Sequence, residues 1–355
     1  MYTSLTEKLT DWSIALYLWG FRIIVILIVI VGTALTLMGG KYNSQQWIDF
    51  VVFGIAQGSI YALIALGYTM VYGILRMINF AHGEIFMSGA FSAYFVASAL
   101  EQSGFLDQNP IVALALVMLV AMAASSGIAL LVERVAYRPL RQAPRLVPLI
   151  SAIGASFFLQ YTFRGLFGPG VYAYPVVEPL QGEWTFFGIN ILKAQVVVTI
   201  AAVLMMLGLY TIVMRTKIGK AMRAVSEDKA TAALMGINVD RVIVVTFALG
   251  AAMAGVAGVL YALVFRQVNF FMGFVPGIKA FTSAVLGGIG NIPGAMLGGL
   301  FLGIFESLGP ALFLESLGIV APYQLKDAIA FTMLVLVLIF RPSGILGERL
   351  TVKKA

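Results

Sequence analysis

The 355-residue sequence contains no cysteine and a single histidine, His82. The first absence excludes disulfides, thiolate metal sites and cysteine nucleophiles. The second excludes paired-histidine zinc chemistry and leaves any histidine-based triad resting on one residue. Charge is scarce as well: Asp, Glu, Lys and Arg make up 11% of the chain, against about a quarter in an ordinary soluble domain. No phosphate-cradling Gly-x-x-x-x-Gly-Lys-[Ser/Thr] loop is present. Gly40-Lys41 is followed by Tyr42 and Gly219-Lys220 by Ala221, and neither pair has a glycine at the upstream position. A polytopic enzyme would need His, Asp, Glu or Ser clustered at one membrane face, and this composition speaks against it.

What the chain has instead is apolar length. Hydrophobic residues make up 61% of it and the mean hydropathy is +0.97, values that need long stretches with no polar face. At about 20 residues per crossing there is room for about ten spans and little else. Apolar runs predict spans near 18–38, 48–73, 82–100, 110–132, 147–168, 191–214, 243–265 and 324–341. Residues 277–314 are too long for one helix and are interrupted by the run from Gly287 to Gly294. They read as two short helices meeting at a glycine and proline break. The fold class is therefore an all-α polytopic transmembrane helix bundle of about ten spans, some short or broken.

The 23 Lys and Arg against 16 Asp and Glu give a net charge of +7. In a membrane protein such an excess reflects basic cytoplasmic loops rather than affinity for nucleic acid. Arg134, Arg138, Arg141 and Arg145 lie in the segment 133–146, six Lys and Arg lie in 215–241, and Arg341, Arg349, Lys353 and Lys354 lie at the end. These three segments are assigned to the inside. Segments 101–109 and 169–190 carry acids but no Lys or Arg and belong outside. Both termini then come out cytoplasmic, provided 277–314 crosses twice with its glycine turn inside. The run 23–38 starts late for a signal peptide and has no small-x-small cleavage site, so residues 1–45 read as an extension with an extra, uncleaved helix whose Arg22 snorkels.

The long basic loop 215–241 reads as two short helices. Ser226 is expected to cap the second, with Glu227 and Asp228 in its first turn and Gly236 at its end. Ala230, Ala233 and Leu234 share one face beside basic residues, as a helix seated in a groove of another protein requires; a solvated, capped cytoplasmic loop is the plainer alternative. Asn79, His82 and Glu84 sit at the start of a span. Buried acids usually face a bundle or cavity, so these three are expected to line or gate a pathway, unless Glu84 merely binds a helix N-terminus or Arg76. Gly287, Gly288, Gly290 and Pro293 mark a broken helix bordering the same path. The pairs Gly294/Gly298 and Gly299/Gly303 equally suit close helix packing. Glu306 and Lys279 are expected to pair across neighbouring helices. A weak internal repeat relates 54–73 and 79–85 to 250–265 and 273–281, an arrangement that in transporters places the site at the repeat interface.

Gly219-Lys-Ala-Met-Arg-Ala-Val-Ser-Glu-Asp, followed by Ala232-Ala-Leu-Met-Gly-Ile, resembles the EAA-like coupling loop of ABC-importer permeases. The run from Gly58 to Gly73, Ile78-Asn-Phe-Ala-His-Gly-Glu84 and Glu133-Arg-Val-Ala-Tyr-Arg-Pro139 resemble the LivH-type permease of branched-chain amino-acid importers. So do Lys279-Ala-Phe-Thr282, Ala284-Val-Leu-Gly-Gly-Ile-Gly290 and Arg341-Pro-Ser-Gly-Ile-Leu-Gly347. The resemblance implies a permease domain over 46–347 and a cytoplasmic tail over 348–355. It implies a multi-pass subunit of the bacterial inner membrane with no catalysis or cofactor of its own. It also implies partners: a second, LivM-like permease, two ATPase subunits that bind ATP and Mg, and a periplasmic substrate-binding protein. Gly219, Arg223, Ala224, Glu227, Asp228, Ala232, Ala233, Gly236 and Ile237 would form the ATPase-coupling loop. A urea or amide importer is the alternative within the class. An ion-coupled secondary transporter acting alone is the alternative outside it.

Overall fold

With no water in a bilayer core, every backbone N–H and C=O must be paired within the chain, which favours helices throughout. The computed structural model describes residues 3–144, 146–186, 189–341 and 343–347, so Arg145 and the tail 348–355 lie outside the described residues. Among the described residues thirteen α-helices follow in order. They are α1 (Thr3–Gly39), α2 (Ser44–Leu75), α3 (His82–Gln102), α4 (Phe105–Gln108), α5 (Pro110–Val132), α6 (Leu146–Phe167), α7 (Lys193–Arg215), α8 (Lys217–Glu227), α9 (Lys229–Leu234), α10 (Val239–Phe265), α11 (Phe274–Gly287), α12 (Ile292–Gly309) and α13 (Lys326–Phe340). Nine helical stretches among the described residues are long and apolar enough to cross a membrane, and α11 is a tenth, shorter apolar helix. The expected all-α bundle, with its break after Gly287, is what forms. Two small antiparallel pairs accompany it, β1 (Tyr172–Ala173) with β4 (Gln267–Val268) and β2 (Glu183–Phe186) with β3 (Ile189–Leu192).

The bundle is organised around α2, which is mostly buried from Gly54 to Ile74. Small residues make this possible. A Cβ on Gly54 would lie 2.8 Å from the Cα of Ile304, and one on Gly58 would lie 2.8 Å from the carbonyl oxygen of Gly299. Gly54, Gly58 and Ala62 of α2 thus interdigitate with Gly299 and Gly303 of α12, backbone on backbone, as small-xxx-small faces allow. Gly298 packs in the same way on Ser283 and Gly287 of α11. The close-packing reading of these glycines is therefore the one realised.

Two expectations need correction. The segment 133–146 is not a simple loop: helix α5 continues through a π turn (Glu133–Tyr137) and a 3-10 turn (Arg138–Leu140). Burial of Glu133 and Tyr137 holds the extra turns, with Arg141 paired to both Glu133 and Asp240. Pro139, lacking an N–H, sits in the tighter final turn. Ser226 does not cap α9. It lies inside α8, where its hydroxyl donates to the Arg223 carbonyl at 2.7 Å. Asp228 is the cap, because its ionised carboxylate is the stronger acceptor for the free N–H groups of the next turn.

Helix α1 begins at Thr3, well before the apolar run that marks it in the sequence, and lies against the turns that follow α12. Thr36 donates to the Ala311 carbonyl at 3.2 Å, Lys41 pairs with Glu315, and the Arg22 guanidinium stacks 3.7 Å from the Phe340 ring. Arg22 thus finds an aromatic partner at the end of α13.

Candidate transport site and docking loop

Helices α2 and α10 end alike. Arg76 and Arg266 both adopt the left-handed backbone region, at φ 56° and 52°, and each N–H closes on a carbonyl four residues back, Tyr72 and Ala262, at 2.8 Å. The following segments also match. The His82 N–H donates to the Asn79 carbonyl (3.1 Å) and the Met272 N–H to that of Asn269 (3.2 Å); the Glu84 N–H donates to Ala81 (3.1 Å) and that of Phe274 to Phe271 (3.2 Å). The sequence carries this as Arg76-x-x-Asn79-Phe80-x-x-Gly83 and Arg266-x-x-Asn269-Phe270-x-x-Gly273. The suspected repeat is present in a corrected register, with Asn79 matched by Asn269 and Gly83 by Gly273 rather than 79–85 by 273–281, and with Arg, Asn, Phe and Gly as its signature.

In both copies the chain passes the end of one helix, turns, and re-enters the bundle before the next helix starts. The His82 ring packs against Gly67 and, edge on, against Tyr68 with ring centroids 4.8 Å apart. Since Gly67 lies eight residues before the end of α2, the chain has come back by about 12 Å at about 1.5 Å per residue. The two re-entrant helices then meet start to start. A Cβ on Gly83 would strike the Gly273 carbonyl and lie 3.2 Å from the Cα of Gly277, so only hydrogen at these positions lets the two N-termini converge.

Glu84 occupies that junction. It is 1% exposed in the first turn of α3, and Gly273, which immediately precedes α11, would place a Cβ 2.8 Å from its Oε2. Ser156 donates weakly to Oε1 at 3.5 Å, while Oε2 has no hydrogen-bond partner among the described residues. The carboxyl group here lies at the starts of two helices at once. Of the two structural partners expected for Glu84, the helix N-terminus is present and Arg76 is not, because the Arg76 side chain turns to the Ser226 carbonyl at the end of α8. Asn79 is buried and accepts from the Tyr137 hydroxyl at 2.6 Å.

The remaining pathway candidates fall at the far end of α11. Gly287 ends α11, Gly288 and Gly290 adopt φ of 103° and 99°, Asn291 caps α12 by accepting from the Gly294 N–H (2.9 Å), and Pro293 lies in its first turn. This turn is clasped by a later segment: the Ile345 and Leu346 N–H groups donate to the carbonyls of Leu286 and Gly287 at 2.8 and 3.0 Å. Between this turn and the Asn79 segment runs an apolar cleft lined by Tyr68, Tyr72, Ile78, Phe281, Ala284 and Ile289. Of the candidate segments, only the sequence neighbours Ile78 and Ile289 line this small cleft; Asn79, Glu84 and the glycines do not, and the His82 ring packs on Tyr68.

The second buried polar group goes beyond the expected pair. Lys279 Nζ lies 2.6 Å from Glu306 Oε1, as expected, and also 2.6 Å from Asp327 Oδ1, a partner that sequence spacing does not indicate. Gln57 donates to Glu306 at 3.0 Å and to the Tyr61 hydroxyl at 2.6 Å. Residues of α2, α11, α12 and α13 thus share one cluster.

On the loop formed by α8 and α9, Thr216 caps α8, which follows α7 directly and buries Gly219, Met222 and Val225. Arg223 points outward and donates to the Met214 carbonyl at 3.4 Å, the Ala224 carbonyl receives the Asp228 N–H at 3.1 Å, and Glu227 is the exposed last residue of α8. Asp228 accepts from the Ala230 and Thr231 N–H groups at 2.8 and 3.1 Å and from the Thr231 hydroxyl at 2.8 Å. The Thr231 bonds and then that of Ala230 hold its carboxyl below the usual aspartate range, so the cap is complete at neutral pH and is lost only as pH falls through that lowered value. Ala232 faces the bundle. Gly236, at φ 82°, ends α9, its N–H donating to Ala233 and that of Ile237 to Ala232 at 3.0 and 3.1 Å. Ala230, Ala233, Leu234 and Met235 are left exposed, Leu234 at 87%. Desolvation first, then the Arg141 and Arg76 cations, lowers the pKa of Lys229, so positive charge gathers behind this apolar tip.

A family model described as the branched-chain amino acid transport system / permease component matches residues 50–338. The high-affinity branched-chain amino acid transport system permease protein BraD of Pseudomonas aeruginosa is 46% identical over 310 residues, 85% of this chain and 96% of the relative. The corresponding LivH protein of Escherichia coli is 46% identical over 313 residues, covering 86% and 98%. A probable branched-chain amino acid transport permease protein LivM of Methanocaldococcus jannaschii is 30% identical over 142 residues, 38% of this chain and 41% of the relative. With a re-entrant, duplicated helical core and a matching span that takes in both copies, the chain belongs to the permease-component family of branched-chain amino acid transport systems.

Proposed function

We propose that this chain forms half of the translocation path of an ABC importer for branched-chain amino acids in the bacterial inner membrane. A LivM-like permease supplies the other half, two ATPase subunits dock on the loop formed by α8 and α9, and a periplasmic binding protein delivers the substrate. The observation that carries the reading is the tip of that loop. A capped short helix holds Ala230, Ala233, Leu234 and Met235 out from a basic base, and exposed apolar groups of that kind suit a partner's groove. The names of BraD and LivH support the cargo, and the LivM match supports a paired permease. The absence of a phosphate loop from the sequence agrees with hydrolysis in a partner chain. ATP and Mg belong to that partner. The ion-coupled alternative gains nothing from the polar cluster, where Lys279 already neutralises the buried Glu306.

Mild-detergent isolation of the tagged chain from native membranes tests the reading. ATPase subunits and a second permease should co-purify, whereas isolation of the chain alone in several detergents rejects it. Within the complex, Ala233→Trp should displace the ATPase and lower uptake by about tenfold or more, the effect of spoiling an interface anchor. Arg223→Glu should weaken retention in the same direction. Normal retention and uptake in both variants remove the loop from the mechanism.

Glu84 is proposed to stabilise the conformation in which the two re-entrant helices meet. Glu84→Gln keeps the shape and replaces the ionisable carboxyl group with an amide, at a cost of roughly 0.5 to 1.5 kcal/mol in polar contacts. Uptake in proteoliposomes should change by roughly two- to tenfold while assembly stays intact. Unchanged uptake at normal expression would remove Glu84 from the transport cycle.

A further inference from the structure

The Arg76 side chain is not needed for the turn it occupies. Arg266 makes the same left-handed turn with the same backbone hydrogen bond, while its exposed side chain contributes nothing to that turn. What distinguishes Arg76 is its guanidinium, which donates from Nη2 to the Ser226 carbonyl at 3.1 Å. That carbonyl belongs to the last turn of α8, where the helix presents unpaired, partly negative carbonyls, and a cation is well placed to hold them. Arg76 and Ile74 on one side, and Val225, Ser226, Glu227 and Asp228 on the other, line the groove between the end of α2 and the turn from α8 to α9.

The backbone of Arg76 connects elsewhere. On its N-terminal side lies α2, packed against α10 and α12 through backbone-close glycine contacts. On its C-terminal side a short segment leads through Asn79, held by Tyr137, to His82 and Glu84 at the junction of the re-entrant helices. One residue is therefore bonded through its side chain to the docking loop and through its main chain to both the central helix and the re-entrant segment. Any displacement of α8 on ATPase closure acts on this point.

We propose that Arg76 is a positioning residue for energy coupling: its bond to the Ser226 carbonyl transmits movement of the α8–α9 loop to the re-entrant segment 77–84. The inference rests on the loop being the ATPase docking site. Transmission requires an element whose equilibrium both ends bias. Here the element is the turn at Arg76, joined to α8 by a charged hydrogen bond.

Arg76→Gly provides the test, since glycine adopts the φ of 56° without strain and keeps the helix end while removing the guanidinium. In the complete importer reconstituted in proteoliposomes, the variant should retain its ATPase subunits and its basal ATP hydrolysis. Amino acid imported per ATP hydrolysed should fall by about tenfold, the lower end for losing a hydrogen bond to a charged group. Arg76→Lys, which keeps a cationic donor, should recover a large part of that ratio. Arg76→Asn, also tolerant of this backbone region, serves as a second variant without the reach to Ser226. A wild-type transport-to-hydrolysis ratio in Arg76→Gly or Arg76→Asn overturns the proposal. Ala233→Trp, measured in parallel, separates the two ways of failing. Loss of ATPase from Ala233→Trp together with a wild-type ratio in Arg76→Gly rejects the Arg76 link alone. Normal retention and uptake in both Ala233→Trp and Arg223→Glu reject the docking reading and the link with it.

Discussion

Replacing Gly303 with leucine should leave no folded permease in the membrane. A Cβ at this position falls on the backbone N and Cα of Gly58 and beside the carbonyl of Gly54, and backbone in a packed helix has no rotamer by which to retreat. Overpacking a core with side chains that can adjust costs about 1 to 3 kcal/mol; here α12 would have to move away from α2 along its whole contact. Association of helices in lipid depends on this close packing rather than on hydrophobic transfer, so the pair is left with little beyond the Gln57–Glu306 and Ser307–Phe50 hydrogen bonds. The expected result is loss of the monodisperse peak in detergent chromatography and loss of uptake together. Gly127→Leu is the control, because a Cβ there meets no atom within 4 Å; it should express and transport normally. A well-folded, active Gly303→Leu protein would show that α2 and α12 are not packed as described.

Lys279→Met should be nearly as damaging, for an electrostatic reason. The lysine is 3% exposed and lies 2.6 Å from both Glu306 and Asp327. Removing it leaves Glu306 buried with no counter-charge, and breaking a buried pair by deleting one partner costs about 3 to 5 kcal/mol. Removing both charges is a different matter, since a well-packed apolar pair of similar volume is often as stable as the ion pair it replaces. Thermal unfolding in detergent should therefore rank the proteins as wild type, then the double variant Lys279→Met with Glu306→Met, then Lys279→Met alone. Equal stability of the single and double variants would mean that the two side chains are not coupled. Asp327 reaches the same lysine from α13, so part of the deficit should persist in the double variant.

Much of this architecture is legible in the residues. Apart from the early start of α1, the apolar runs mark the long helices to within a few positions; the break from Gly287 to Gly294 separates α11 from α12, and Gly236 ends α9 as a left-handed glycine should. The pairing of Lys279 with Glu306 follows from the cost of leaving either alone in an apolar helix. Other features escape a reading by periodicity. Ser226 and Asp228 are both good caps, and which one serves depends on where α8 ends, a matter settled by burial of Met222 and Val225. Re-entry leaves no hydropathy signal, because residues 76–81 and 266–273 lie between helices in either case. The repeat is carried by Arg, Asn, Phe and Gly at equal spacing. It is faint in the sequence because the helices preceding it have diverged, and the signature lies in the turns rather than in the spans. The bond from Arg76 to a main-chain carbonyl has no partner side chain, so no residue type at Ser226 announces it.

The meeting of α3 and α11 start to start has a consequence for how the chain is made. Helix α11 has 14 residues, about 21 Å at about 1.5 Å per residue and short of a hydrocarbon layer about 30 Å thick. It also carries Lys279, a costly residue to place in lipid by itself. It is therefore poorly suited to leave the translocation channel as an independent unit. Its seat is the cradle formed by Gly83 and the start of α3, which is synthesised long before it, while Glu306 and Asp327 arrive only afterwards. The contact surface for α11 on the first copy of the repeat is thus made before α11 itself, and truncation before α12 leaves the lysine without the carboxylates that secure it.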